Sequence, residues 1–166
     1  MACDPLTADI VNFAIMTGCR QSEILGLTWD RVEEALLIFT PETQKARRYG
    51  KRWLADEARA IVERQPKKCE YVFQLLGKRI RRDFFHKKMW TPARIRAGMM
   101  HVQFRDLRNT AGQRLLEATG NPVVAQHQLG HSSLRTTERV YVREPLALLE
   151  EGAKAVEEMR KKAAKL

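Results

Sequence analysis

Three short stretches of the chain carry residues that can act together on a phosphate. Arg20 lies in TGCRQSEILGL, Arg108 lies in FRDLRNTAG, and His131 precedes Tyr141 in QLGHSSLRTTERVYV. Two arginines present planar sets of N–H donors that fit the non-bridging oxygens of one phosphate. A tyrosine hydroxyl becomes a competent nucleophile when its developing charge is neutralised. These residue types predict attack by Tyr141 on a phosphate held by the arginines.

The stretch HQLGH raises a different chemistry, because His127 and His131 have the spacing of a zinc-protease helix. Gln128 stands where such a helix needs its catalytic glutamate. Gly130 predicts a helix end between the two histidines, and the sequence offers no obvious third ligand. We therefore predict no metal site.

The composition favours a polyanionic partner. Thirty lysines and arginines against twenty acidic residues give the 166-residue chain a net charge of +10. A positive field of that size attracts nucleic acid first and anionic membranes second. The longest apolar runs are too short to span a bilayer, so we expect no membrane partner. With no evident signal peptide and three widely spaced cysteines, we expect a cytoplasmic protein that works on DNA in the nucleoid.

The elements that must position these residues are predicted to be mainly α-helices with one small antiparallel β-sheet, an α+β fold. Helical periodicity with closing glycines predicts helices that end at Gly18, Gly120 and Gly130. The run ALLIFT predicts a strand, and RRYGKRWL its hairpin partner. Asp56 is the expected cap of a helix in EARAIVERQ. We expect helical pieces in YVFQLLGKRIRRDFFHKKMWTPARIRAGM, and a further helix in RQSEILGLTW. Arg20, Arg108 and His131 are each expected where a helix begins or ends.

In combination these motifs resemble the C-terminal catalytic domain of the tyrosine recombinases, the phage-type integrases. Thr-Gly-x-Arg-x-x-Glu, x-Asp-Leu-Arg, Leu-Gly-His and Tyr occur in the family's order, from TGCRQSEILGLTW to HQLGHSSLRTTERVYV. Each motif alone is weak, but their order is specific. The resemblance implies one catalytic domain over residues 1–166 with the fold of DNA breaking and rejoining enzymes.

The resemblance also gives individual residues a role. Tyr141 is the implied nucleophile, whereas Tyr49 and Tyr71 lie outside any such motif. Glu23 is the implied acidic residue that braces the site, and the plainer alternative is a solvent-facing charge on a helix. The residues implied to contact the DNA phosphate are Arg20, Arg105, Arg108 and His131.

The family places a lysine in a β-hairpin, where it protonates the leaving 5′ oxygen. Lys45, in TQKARRYGKRWL, fits that position best, and Lys51 is the alternative. Either can also be a solvated surface lysine.

Arg105 departs from the common pattern, because the family usually has a histidine there. An arginine stays charged and cannot accept the proton of the tyrosine, so Arg105 would act as a hydrogen-bond donor and a positive field. His101 is a conceivable substitute base, although a surface role fits it equally. The departure affects the identity of the base and leaves the class of reaction unchanged.

The resemblance implies a site-specific recombinase that needs neither a metal, nor ATP, nor another cofactor. Its implied partner is double-stranded DNA, which a homotetramer binds at paired sites with the help of accessory DNA-bending proteins. In isolation the chain is expected to be a monomer. Two alternatives stay open: a type IB topoisomerase and a non-catalytic DNA-binding regulator. We expect a fragment that lacks an N-terminal DNA-clamping domain. The last stretch, EPLALLEEGAKAVEEMRKKAAKL, predicts an amphipathic helix that packs on its own domain or on a neighbouring protomer.

Overall fold

A computed structural model of the chain describes residues 3–41 and 50–130. In this part, α-helices surround a three-stranded antiparallel sheet, and a short two-stranded hairpin lies apart from it. The predicted fold class, mainly α with a small antiparallel sheet, is confirmed. Across the described ranges, no helix is long and apolar enough to cross a membrane.

The first helix, α1 (Pro5–Thr17), begins and ends as its sequence predicts. The Asp4 carboxylate accepts a hydrogen bond of 3.0 Å from the Thr7 N–H and so caps the first turn. Gly18 ends the helix in the left-handed conformation, with φ of 64°. Phe13, on the buried face of α1, contacts Phe73 with ring centroids 5.1 Å apart.

The second helix is shorter than predicted. α2 is a single turn, Gln21–Ile24, and the chain then forms a 3₁₀ turn at Trp29–Arg31 instead of continuing the helix. An isolated β-bridge between Thr28 and Tyr71 holds this region in an extended form. Tertiary pairing therefore overrides the helical pattern of RQSEILGLTW.

The three-stranded sheet consists of β1 (Val32–Glu33), β2 (Leu36–Phe39) and β3 (Gly50–Trp53), in that order. β3 is antiparallel to β2, so the predicted hairpin is confirmed. Arg52 pairs with Leu37 in this register, and both side chains are buried. The sheet therefore places one arginine inside the core.

Helix α3 spans Asp56–Glu63, and its cap differs from the prediction. Ala55 is the N-cap residue, and Asp56 is the first residue of the helix. A carboxylate in the first turn still interacts favourably with the positive end of the helix dipole. The prediction that Asp56 caps this helix is wrong by one residue.

The basic middle of the chain is only partly helical. Its first part forms a hairpin, β4 (Gln74–Leu75) and β5 (Lys78–Arg79), because Leu76 and Gly77 adopt positive φ angles that turn the chain back. The helices follow. They are α4 (Arg82–Phe84), a π-helical segment (Phe85–Trp90) and α5 (Thr91–Arg96).

The last two described helices match the predictions. α6 spans Phe104–Thr119 and ends at Gly120, and α7 spans Pro122–Leu129 and ends at Gly130. α6 packs against both α1 and α7. This packing brings the C-terminal ends of α1 and α7 next to the first half of α6, where the site lies.

Candidate active site

Arg20 and Arg108 lie in the walls of the same cavity. The cavity has a volume of about 230 Å³ and is lined by Cys19, Arg20, Gln21, Ser22, Arg82, Phe104, Arg105 and Arg108. Arg20 is the N-cap residue of α2, at a helix start as expected. Arg108 lies in the second turn of α6, so the prediction that it opens its helix is wrong. The structure nevertheless brings the two motif arginines together.

Two helix ends hold the guanidinium of Arg108. Its Nη1 donates to the Gly18 carbonyl and its Nη2 to the Leu129 carbonyl, each at 2.6 Å. These carbonyls lie at the C-terminal ends of α1 and α7, where the helix dipoles place partial negative charge. Arg108 is thus oriented by backbone groups of two helices.

Gly18 makes this arrangement possible. An added Cβ at Gly18 would lie 2.2 Å from Leu129 Cδ2, and the residue has a positive φ. A side chain at this position would therefore push α1 away from α7. Glycine at this position thus lets the two helix ends lie close together, where both carbonyls accept from Arg108.

Glu23 is buried, so the alternative of a solvent-facing charge does not describe it. Its carboxylate accepts hydrogen bonds of 2.7 Å from both the backbone N–H and Nη1 of Arg20. Arg52 donates to the other side, from Nη1 at 2.7 Å and Nη2 at 3.2 Å. Burial alone raises the pKa of Glu23, but the hydrogen bonds and charges of the two arginines outweigh it and lower the pKa below its ordinary value.

Arg52 is a central residue that the sequence motifs miss. It is 2% exposed, and its guanidinium lies 4.4 Å from the ring centroid of Phe39. Besides Glu23, it donates to Cys19 Sγ at 3.0 Å and to the Leu129 carbonyl at 3.1 Å. The one sequence signal is its place in a hairpin strand, where alternation puts it on the face opposite to that of Lys51.

The site carries more positive than negative charge. Arg20 and Arg52 both contact the carboxylate of Glu23, and Arg108 contacts neighbouring backbone carbonyls instead. Burial, together with repulsion from Arg20 and Arg52, lowers the pKa of Arg108 to about 10. Burial also opposes the charge of Arg52, but Cys19 and Glu23 outweigh it and raise the pKa of Arg52. An anion in the cavity would offset the excess positive charge.

Arg105 lies at the rim of this cavity. Its side chain is largely exposed, and its Nε lies 3.9 Å from Asp106 Oδ1. His101, the candidate substitute base, is exposed in the turn before α6 and is not among the residues that line the cavity.

Several other predicted residues lie elsewhere. Lys51 is exposed on β3. Tyr71 lines a separate cavity of about 410 Å³ and lies under Arg79, whose guanidinium is 5.1 Å from the ring centroid. The candidates outside the described residues are Lys45, Tyr49, His131, Tyr141 and the helix predicted after Pro145.

Gln128 of the HQLGH stretch forms hydrogen bonds with the backbone of Trp53. Gln128 Nε2 donates to the Trp53 carbonyl at 2.8 Å, and its Oε1 accepts from the Trp53 N–H at 3.3 Å. Gln128 thus continues the hydrogen bonding of strand β3. Within residues 3–41 and 50–130, no group of three histidine, cysteine or acidic side chains is placed to hold a metal ion.

Comparison with known proteins connects this geometry to a family. Residues 4–145 match the phage integrase family, while a search of curated proteins gives no match. The catalytic domain of bacteriophage HP1 integrase is 25% identical, with a TM-score of 0.63 over 90% of this chain and 88% of that one.

Two further structures are similar in fold. The XerH site-specific recombinase, bound to palindromic difH substrate in a post-cleavage complex, is 20% identical with a TM-score of 0.65. The Tn1549 transposon integrase, in complex with transposon right end DNA, is 17% identical with a TM-score of 0.72. The matches cover 91% and 90% of this chain but only 46% of XerH and 58% of the Tn1549 integrase chain.

Proposed function

Because the chain belongs to the phage integrase family, we propose that it is a catalytic domain that cuts and rejoins DNA strands through Tyr141. Its fold is that of tyrosine recombinase catalytic domains. The excess positive charge of the cavity between α2 and α6 carries the proposal. A DNA phosphodiester brings the negative charge that Arg20 and Arg108 are placed to bind.

In the proposed reaction, the hydroxyl oxygen of Tyr141 attacks the phosphorus of one DNA strand. The bond from phosphorus to the 5′ oxygen breaks, which leaves a 3′-phosphotyrosyl bond and a free 5′ hydroxyl. A 5′ hydroxyl from another strand then attacks the phosphotyrosyl bond and releases Tyr141. Each step exchanges one phosphodiester for another, so no metal or ATP is needed to conserve the bond energy.

Free N–H groups on the two cavity arginines support the proposed phosphate binding. Across the described residues, Nε and Nη2 of Arg20 have no partner, and the side chain is one-third exposed at the cavity. Arg108 has three N–H groups left after its two backbone contacts. Donors fixed before the substrate arrives stabilise a developing negative charge without reorganisation.

The remaining roles follow from the family and belong to the proposal. His131 donates a hydrogen bond to the phosphate, and Lys45, with Lys51 as the alternative, protonates the leaving 5′ oxygen. Arg105 adds a donor and a positive field at the rim, where its exposure leaves it free to approach DNA. Glu23 braces Arg20.

We also propose double-stranded DNA as the partner. The similar XerH and Tn1549 integrase structures are complexes with DNA, and the net charge of +10 favours the same partner. Assembly as a homotetramer on paired sites, with accessory DNA-bending proteins, is part of this proposal.

The test uses a pool of nicked DNA duplexes with a randomised segment around the nick. The nick lets the short product diffuse away, so the covalent intermediate accumulates. After denaturation in detergent, DNA that stays attached to the protein is recovered and sequenced. We expect enriched sequences from the wild-type chain and none from Tyr141→Phe, which removes only the nucleophilic oxygen.

Three results would count against the proposed site-specific recombinase. Attachment of equal yield in Tyr141→Phe would reject the nucleophile. Binding without attachment would favour a non-catalytic DNA-binding regulator. Relaxation of a supercoiled plasmid that lacks the enriched sequence would instead favour the topoisomerase alternative.

A further inference from the structure

Arg52 contacts both the group that orients Arg20 and the end of the helix that precedes His131. We propose that Arg52 is a positioning residue, which fixes the phosphate-binding arginines relative to the chain segment that carries His131 and Tyr141. This inference rests on the proposed function, because it concerns how the nucleophile is placed against the bound phosphate.

The two ends of the Arg52 guanidinium point to different parts of the site. Nη1 donates to Glu23 Oε2 and to Cys19 Sγ, next to Arg20 in the chain. Nη2 donates to Glu23 Oε1 and to the Leu129 carbonyl. A planar guanidinium holds its donors in a fixed fork, so these acceptors are held in one relative orientation.

The Leu129 carbonyl is shared with the phosphate-binding arginine. It accepts from Arg108 Nη2 at 2.6 Å and from Arg52 Nη2 at 3.1 Å. Arg108 lines the cavity, whereas Arg52 is not among its lining residues. The carbonyl oxygen of Leu129, two residues before His131, therefore accepts one hydrogen bond from Arg108 in the cavity wall and one from Arg52 in the core.

The turn after Leu129 lies directly against the Arg52 side chain. Gly130 has φ of 65°, and a Cβ added to it would lie 3.1 Å from Arg52 Nη2. Gly130, where the chain leaves α7 toward His131, thus lies against Arg52. A displacement of the Arg52 guanidinium would therefore displace Gly130.

Stability alone gives a poor reason for this arginine. A buried ion pair can often be replaced by apolar residues without loss of stability. Arg52 also adds a positive charge to a site that already has two, and its buried Nε has no partner in the described residues. A lysine could supply the charge for Glu23, but it lacks the fork that also reaches Leu129.

The test compares Arg52→Lys with wild type on a duplex recovered from the nicked pool. DNA affinity is measured by anisotropy, and the rate of covalent attachment is measured in single turnover at saturating DNA. We expect affinity within threefold of wild type and a rate at least tenfold lower. Arg64→Lys is the matched control, because Arg64 also grips a carboxylate with two N–H groups but lies outside the site; we expect it to change neither quantity.

Hydrogen exchange provides a readout that is independent of cleavage. In Arg52→Lys, amides in residues 126–130 should exchange faster, while those of α1 and β2 keep their wild-type rates. This measurement also separates the two proposals. If wild type forms no covalent complex, the proposed function fails, and the exchange rates still decide whether Arg52 fixes the end of α7.

The inference is overturned if Arg52→Lys attaches to saturating DNA within threefold of the wild-type rate. It is equally overturned if exchange in residues 126–130 is unchanged, or if exchange rises uniformly over the chain. Should Arg52→Lys not fold, the double variant Glu23→Gln/Arg52→Met removes both buried charges together. Compared with Glu23→Gln alone, the double variant must show faster amide exchange at the end of α7 and a slower rate of covalent attachment.

Discussion

Two arginine–carboxylate pairs each use two N–H groups, but they differ in burial. Arg64, after helix α3, binds Asp9 of α1 through Nε and Nη2, and the two side chains are 53% and 14% exposed. Arg52 binds Glu23 through Nη1 and Nη2, and both of these side chains are 1% exposed. The first pair is balanced, whereas Glu23 is shared with Arg20 and lies near Arg108.

The difference supports assigning the buried pair to the proposed site. An exposed pair stabilises the fold by at most about 1 kcal/mol, and here it links α1 to the end of α3. A buried pair must offset the cost of desolvation, and an additional cation makes that harder. The excess positive charge around Glu23 lies where an anionic substrate would offset it.

The largest difference should appear in stability. Glu23→Gln removes the carboxylate that Arg20 and Arg52 both contact, so we expect a loss of about 3–5 kcal/mol in the free energy of unfolding. Asp9→Asn should cost about 1 kcal/mol or less. Urea unfolding of both variants measures the contrast, and equal losses would remove the distinction between the two pairs.

The next largest effect concerns cleavage. Arg108→Ala and Arg20→Ala each remove donors that contact the transition state in the proposed reaction, and such a loss typically costs about 3 kcal/mol, or roughly a hundredfold in rate. Arg64→Ala changes an exposed arginine and should leave the attachment rate within threefold of wild type. Single-turnover rates on the recovered duplex test this. Rates near wild type in Arg108→Ala would show that the cavity does not hold the scissile phosphate.

A smaller effect tests the helix junction that orients Arg108. Gly18→Ala adds a methyl group that collides with Leu129, at a residue with positive φ, so we expect a loss of about 2–4 kcal/mol in stability. Gly120→Ala is the matched control. It has φ of 61° and no atom within 4 Å of the added Cβ, so only the backbone strain of about 1 kcal/mol remains. Equal losses would mean that α1 and α7 are not in close contact.

The smallest effect is the part of the pH dependence of stability that comes from Glu23. The pKa of Glu23 is lower in the folded chain than its ordinary value of 4.5. Its contribution to stability is therefore complete above that value and is lost as the pH falls through the lowered pKa. We expect wild type to lose more stability than Glu23→Gln below about pH 4.5. Parallel stability profiles for the two chains would show that folding does not lower the pKa of Glu23.

The sequence predicts the long helices because their signals are local. α1, α6 and α7 each end at a glycine with positive φ, as their sequences indicate. The β4–β5 hairpin is missed because QLLGKR lies in a stretch of helical spacing, and only the pairing of Gln74 with Arg79 reveals the turn. Local patterns do not contain that pairing.

The residues of the candidate site can likewise be predicted where their signals are local. Arg20, Glu23 and Arg108 lie in ordered motifs, so their types and spacing identify them. Arg52 has no motif, since its partners Glu23 and Leu129 are 29 and 77 residues away along the chain. Its role follows only from the packing of β3 against α2 and α7.

The most direct test of the account identifies the residue that carries the DNA. Covalent complexes from the nicked pool are digested with nuclease and protease, and the remaining nucleotide adduct is located by tandem mass spectrometry. The account predicts a single 3′-nucleotide adduct on Tyr141, absent from Tyr141→Phe and strongly reduced in Arg108→Ala. An adduct on Tyr49 or Tyr71, or an adduct yield that is unaffected by Arg108→Ala, would contradict it.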